Sequence, residues 1–101
     1  MKSDLRDIPG VGQAIEQDLL NMGVRCVADL RGQDPESLYA RDCALKGYRE
    51  DRCQLYVFRM AVYYAENTNR DREKLKWWYW KDHTYVSRIN ALESEDRHES
   101  Y

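Results

Sequence analysis

The sequence predicts an all-α fold, a tandem helix-hairpin-helix domain with a C-terminal helical extension rich in aromatic residues. Three observations predict it: a proline–glycine turn at residues 8–12, apolar residues at helical spacing along most of the chain, and no segment with the alternating pattern of a strand. The chain of 101 residues is long enough for one modest hydrophobic core. We therefore expect a single helical unit rather than several domains.

The turn reads Leu5-x-x-Ile8-Pro9-Gly10-Val11-Gly12 and precedes a helix expected from Gln13 to Met22. Proline ends the first short helix, and glycine lets the backbone turn tightly without a Cβ. The second helix then begins with free N–H groups at the positive end of its dipole, which favours a phosphate. We predict that the backbone of Gly10, Val11, Gly12 and Gln13 donates to one phosphate. The alternative is a tight turn that only packs two helices.

The following elements are also helical. A short connector is expected over residues 24–30, and Asp34-Pro35-Glu36 is a strong helix start that leads to a stop near Lys46-Gly47. Residues 51–66 are apolar on most sides, so we expect the central buried helix there, with Cys53 on its apolar stripe as a small hydrophobe.

A weak internal repeat relates the two halves. An offset of 37 residues sets Ile8-Pro9-Gly10 against Leu45-Lys46-Gly47, which predicts a second, degenerate hairpin without the proline or the second glycine. The predicted organisation is a tandem domain over residues 1–67, a helical extension packed on it over 68–92, and a disordered acidic tail over 93–101.

The second hairpin is expected to be the stronger half of the pair. Gln13 occupies the position after Gly12 where many DNA-binding hairpins have a basic residue, and Asp7 and Glu16 nearby would repel a phosphate. The second hairpin offers Lys46, Gly47, Arg49 and Arg52 as a second phosphate grip. The alternative is that these charges form an ordinary solvated face.

Residues 76–81, Lys-Trp-Trp-Tyr-Trp-Lys, lie in a segment (70–92) with six basic and three acidic side chains. Interleaved aromatic and basic residues occur where single-strand binders stack bases, so Trp78 and Trp80 are candidates for base stacking. Packing of these rings against the central helix is the favoured alternative.

Several classes of function are not indicated. The sequence has no nucleophile elbow, phosphate-binding loop or carboxylate pair, so we expect no enzyme and no cofactor. The cysteines Cys26, Cys43 and Cys53 and the two histidines lack metal-site spacing, so we expect free thiols and no metal. No secretory signal or membrane-spanning run is present, which predicts a cytoplasmic protein without a membrane partner.

The chain resembles the small bacterial pathogenicity-locus family of helix-hairpin-helix proteins, some of which carry a mitomycin-resistance label. The resemblance covers about residues 5–81 and implies a helical fold and DNA binding. The residues that carry it are Ile8-Pro9-Gly10-Val11-Gly12, Val27-Ala28-Asp29-Leu30, Asp34-Pro35-Glu36-Ser37-Leu38-Tyr39, Cys43-Ala44-Leu45-Lys46-Gly47, Cys53, Val57-Phe58-Arg59 and Leu75-Lys76-Trp77-Trp78.

These observations predict an accessory module that binds the DNA backbone weakly and without sequence preference, since phosphates carry no base identity. The alternative is a protein–protein interaction adaptor that keeps the hairpin as scaffold. The net charge of −2 and Gln13 favour that alternative, because nucleic-acid-binding proteins usually have a positive excess.

Overall fold

The computed structural model describes residues 3–87, and over these residues the protein is all-helical, as predicted. Three α-helices form the body: α1 over Gln13–Asn21, α2 over Pro35–Lys46 and α3 over Arg52–Glu66. Short 3₁₀ helices precede, connect and follow them, at Asp4–Asp7, Val27–Leu30, Arg72–Leu75 and Trp77–Lys81.

The boundaries of α2 follow from its end residues. Asp34 accepts a hydrogen bond from the Ser37 N–H at 3.2 Å, and Pro35 occupies the first turn, where no N–H is needed. Gly47 ends the helix with φ of 77°, a left-handed conformation that suits glycine. The predicted start and stop of this helix are therefore confirmed.

Helix α3 is the central element, also as predicted. It packs against α2, the Val27–Leu30 turn and the Trp77–Lys81 turn. Its side chains are buried from Leu55 through Tyr63, except for Tyr56. The apolar ones from Val57 onward share one core with Leu5, Ile8, Leu19, Leu30 and Leu38. The expectation for Cys53 is wrong: it is exposed, because it lies in the first turn of α3, before the helix enters the core.

The segment after α3 is held against it by a buried arginine. The Arg59 guanidinium donates to the Trp80 carbonyl at 2.8 Å and the His83 carbonyl at 3.3 Å. Its other nitrogens bind Glu36 at the start of α2, at 3.0 and 2.8 Å. The described part of this extension consists of 3₁₀ turns rather than an α-helix. Residues 88–92 of the predicted extension and the predicted acidic tail lie outside the described residues.

Candidate nucleic-acid interface

The first glycine turn, residues 8–12, leads into α1 with open backbone donors. Gly10 has φ of 86°, and Gly12 is the N-cap of α1 without a capping side chain. The Val11 N–H donates to the Ile8 carbonyl at 3.1 Å, so this predicted donor is already used. The N–H groups of Gly12 and Gln13 have no partner among residues 3–87. The α1 N-terminus therefore retains unsatisfied N–H groups that suit an anion.

The carboxylate of Glu16 is paired within the protein. It accepts from the Ser3 hydroxyl at 2.7 Å and the Ser3 N–H at 3.1 Å, and Arg6 lies 3.5 Å away. The hydrogen bond from the Ser3 hydroxyl, with that from the Ser3 backbone and the Arg6 charge, lowers the pKa of Glu16. The ionised carboxylate thus has a counter-charge, whereas Asp7 stays exposed beside the turn.

The aromatic turn Trp77–Lys81 contacts the first glycine turn. A Cβ added at Gly10 would lie 3.3 Å from the Met60 methyl and 3.8 Å from Cδ1 of Trp77. Gly10 is therefore favoured by its left-handed backbone, and a Cβ there would also lie tightly against the Met60 methyl. The first glycine turn therefore lies against α3 at Met60.

The second glycine turn, residues 47–51, differs at the start of its following helix. The Asp51 carboxylate accepts from the Cys53 N–H at 2.8 Å, and this hydrogen bond lowers the pKa of Asp51. The carboxylate thus caps α3 from within the chain. The Cys53 N–H is therefore already hydrogen-bonded, and a phosphate approaching this helix N-terminus would meet the negative charge of Asp51.

Lys46, which was predicted to supply positive charge at this turn, is paired with carboxylates within the protein. Its ammonium binds Glu50, Asp18 at 2.9 Å and Asp42 at 3.5 Å. Burial opposes the charged ammonium, but the hydrogen bonds to Glu50 and Asp18 and the nearby carboxylates outweigh it and raise the pKa of Lys46. The fold surrounds Lys46 with three carboxylates, Asp42 and Glu50 near it in sequence and Asp18 from α1, and its contact with a phosphate stays a prediction.

The carboxylates of Asp18, Asp42 and Glu50 form the one group of possible metal ligands within the described range, and their ligand oxygens lie within 4.8 Å of one another. Lys46 lies among them, and Gln54 donates to Asp18 at 2.8 Å and to Asp42 at 3.0 Å. The ammonium therefore acts as the internal cation of this acidic cluster.

Cys43 and His83 each have a contact within the protein. All three thiols are unbridged, and Cys43 accepts the Glu50 N–H at 3.3 Å. The ring of His83 stacks on Tyr79 at a centroid distance of 4.0 Å.

The remaining predicted site residues divide into exposed and buried ones. Arg49 and Arg52 are exposed, with the Arg52 guanidinium 6.0 Å from the Tyr56 ring centroid. Trp78 is 55% exposed, whereas Trp80 is 3% exposed and donates its Nε1–H to the Lys74 carbonyl at 2.9 Å. Base stacking by Trp80 is therefore ruled out by burial, and Trp78 is the available ring.

One feature was missed in the sequence: an apolar surface at the C-terminal end of α2 and in the turn that follows it. Leu45 is 62% and Tyr48 is 61% exposed, and shallow hollows of about 340 and 510 Å³ lie on either side of Ala44. The signal was present, because apolar residues surround this helix instead of forming one stripe.

Comparison with known proteins identifies the family of this chain. The sequence model of the Cdd1 family, described as "Pathogenicity locus", matches residues 2–85. The chain belongs to this family. A relative named "Mitomycin resistance protein McrB", from Streptomyces lavendulae, is 33% identical over 95 residues, which are 94% of this chain and 85% of the relative. No solved structure gives a significant match.

The matched region includes both glycine turns and the aromatic turn, so these features belong to the part of the chain that defines its membership of the pathogenicity-locus family. Among the described residues, no helix has the length and apolar character needed to cross a bilayer.

Proposed function

We propose that this protein is a non-enzymatic DNA-binding accessory module that contacts the phosphate backbone without sequence preference. The open N-terminus of α1 carries the proposal, since Gly12 and Gln13 present N–H groups without a capping side chain. Backbone donors at a helix N-terminus suit a phosphate oxygen and read no base.

A pair of related turns supports the proposal. Gly10 and Gly47 both have left-handed backbones, at φ of 86° and 77°, and each precedes a helix that packs into the common core. We interpret the two turns as a tandem helix-hairpin-helix in which the first binds phosphate. At the second turn, Arg49 and Arg52 would add long-range attraction, while Lys46 stays in its internal ion pairs.

Gly12 allows a test that separates binding from folding. An added Cβ there meets no atom within 4 Å, and the backbone is extended, so Gly12→Asp fits and supplies a preferred N-cap. Its carboxylate would accept the open N–H groups and repel phosphate. We expect Gly12→Asp to bind duplex DNA about tenfold more weakly than the wild type, by fluorescence anisotropy at low salt, with an unchanged or higher Tm.

Gly12→Asn is the matched control, because it caps the same donors without a charge and should lose less affinity. For the wild type, the logarithm of the binding constant should fall linearly with the logarithm of salt concentration. Equal affinities of Gly12→Asp and wild type would remove the first turn as the phosphate site. Absence of wild-type binding to both single-stranded and duplex DNA at low salt would contradict the DNA function itself.

The exposed apolar surface at the C-terminal end of α2 and in the turn that follows it favours a second candidate, a protein-interaction adaptor. Leu45 and Tyr48 present large side chains to solvent, and contiguous exposed apolar patches often bind proteins. In that case a purified physiological partner should lose affinity for Leu45→Glu and retain it for Gly12→Asp. The opposite pattern would favour the DNA-binding module.

A further inference from the structure

The three tryptophans of the aromatic turn have different surroundings. Trp80 is buried, and Trp77 is partly buried against the core and Gly10. Trp78 is 55% exposed, yet its ring is held against Trp77 edge to face, at a centroid distance of 5.6 Å and an interplanar angle of 89°. Trp78 thus presents ring surface to solvent while resting on a ring that the core holds in place.

Basic side chains with weak or no ion pairs adjoin this ring in sequence. Lys76 pairs with Glu73 at 3.1 Å, but both side chains are exposed, and such surface pairs contribute little. Lys81 is exposed and makes no ion pair with any residue from 3 to 87. Both ammonium groups are therefore available to a phosphate, unlike that of Lys46.

The aromatic turn also lies near the first candidate phosphate site. A Cβ added at Gly10 would lie 3.8 Å from Cδ1 of Trp77, which is ordinary contact distance. The Trp77–Lys81 turn packs on α3, the helix that follows the second glycine turn.

We propose that this surface prefers single-stranded to duplex DNA, with Trp78 stacking on an unpaired base beside a phosphate held at the first turn. The inference rests on the proposed DNA-binding function and specifies its substrate. In a duplex the base faces are already stacked on one another, so an exposed indole has no base face to cover. In a single strand each base offers a face, and stacking adds affinity without sequence preference.

The test compares a fluorescein-labelled single strand of mixed sequence with the duplex formed from it and its complement. Binding of each to the full chain is measured by fluorescence anisotropy at low salt. We expect the wild type to bind the single strand more tightly, and Trp78→Ala to lose about tenfold in affinity for the single strand and little for the duplex. Trp78→Phe, which keeps an aromatic face, should retain most of the affinity.

Tyr48→Ala provides a matched control, since Tyr48 is a similarly exposed aromatic residue at the other turn and should not change the ratio of the two affinities. A second measurement uses only the wild type: replacing bases of the strand by abasic sites should weaken binding, because the phosphates remain and the stacking partners are lost. An equal effect of Trp78→Ala on both DNA forms, or no effect of abasic sites, would overturn the inference and leave the DNA function standing. No binding to either form would end both proposals.

Discussion

At the first glycine turn the side chain two residues before the glycine, Ile8, is 1% exposed, whereas its counterpart at the second turn, Leu45, is 62% exposed. The first turn packs on Met60 and Trp77 and leaves the following helix N-terminus open. The second has open space around Gly47 and a carboxylate on the N-terminus of α3.

The sequence repeat therefore preserves the backbone conformation and not the environment. The first turn was expected to be the weaker half because it lacks a basic residue and has acidic neighbours. With Lys46 occupied by carboxylates and Asp51 capping α3, the first turn has the better donors. Local charge in the sequence was a poor guide, because ion pairing is decided by which helices meet.

The largest expected effect is on stability. Ile8→Ala should lower the free energy of unfolding by about 3 kcal/mol, because it opens a cavity in the core, while Leu45→Ala should change it by less than about 0.5 kcal/mol. Urea denaturation followed by circular dichroism measures both. Similar losses at the two positions would show that the two turns are packed alike, contrary to the structure.

A smaller loss is expected from the acidic cluster. Lys46→Met leaves the carboxylate of Asp42, which is 1% exposed, beside two others without their cation. Because Lys46 itself is partly exposed, we expect the free energy of unfolding to fall by about 2 kcal/mol in the same measurement.

Lys46→Arg should restore most of that stability by keeping the charge. If Lys46 is structural, Lys46→Met should also weaken DNA binding less than Arg49→Met does. If Lys46→Met lost more DNA affinity than Arg49→Met, Lys46 would instead be a phosphate-binding residue.

The smallest effect is a difference in pH dependence between the turns. The pKa of Glu16 is lowered in the folded state, so its stabilisation is present above its ordinary value of 4.5 and is lost as the pH falls through the folded value. The pKa of Lys46 is raised, so its stabilisation is complete below 10.5 and is lost as the pH rises through the folded value.

Thermal unfolding across the pH range should therefore show Glu16→Gln reducing the acid-side loss and Lys46→Met reducing the alkaline-side loss. Glu73→Gln, at an exposed carboxylate, is the control for acid and should match the wild type. A changed alkaline side in Glu16→Gln, or an unchanged one in Lys46→Met, would contradict the assignment of one charge cluster to each turn.

Periodicity and end signals were sufficient for the helical framework. Asp34-Pro35 and Gly47 fix the ends of α2 through local hydrogen bonds and backbone conformation, which depend on neighbours in sequence. The apolar run of α3 likewise required a buried central position. The exposure of Cys53 and Leu45 was less predictable, because the spacing of apolar residues does not indicate how far along a helix the core extends.

The sequence by itself determined the class of fold, the glycine turns at Gly10 and Gly47 and the family to which the chain belongs, since these depend on local conformation and on the order of residues. Only the tertiary structure decided that Lys46 is neutralised by Asp18, that Trp80 is buried and Trp78 exposed, and that the aromatic turn lies against Gly10. Those outcomes depend on contacts between residues distant in the chain, and the physical reason is that burial and ion pairing are properties of the packed molecule.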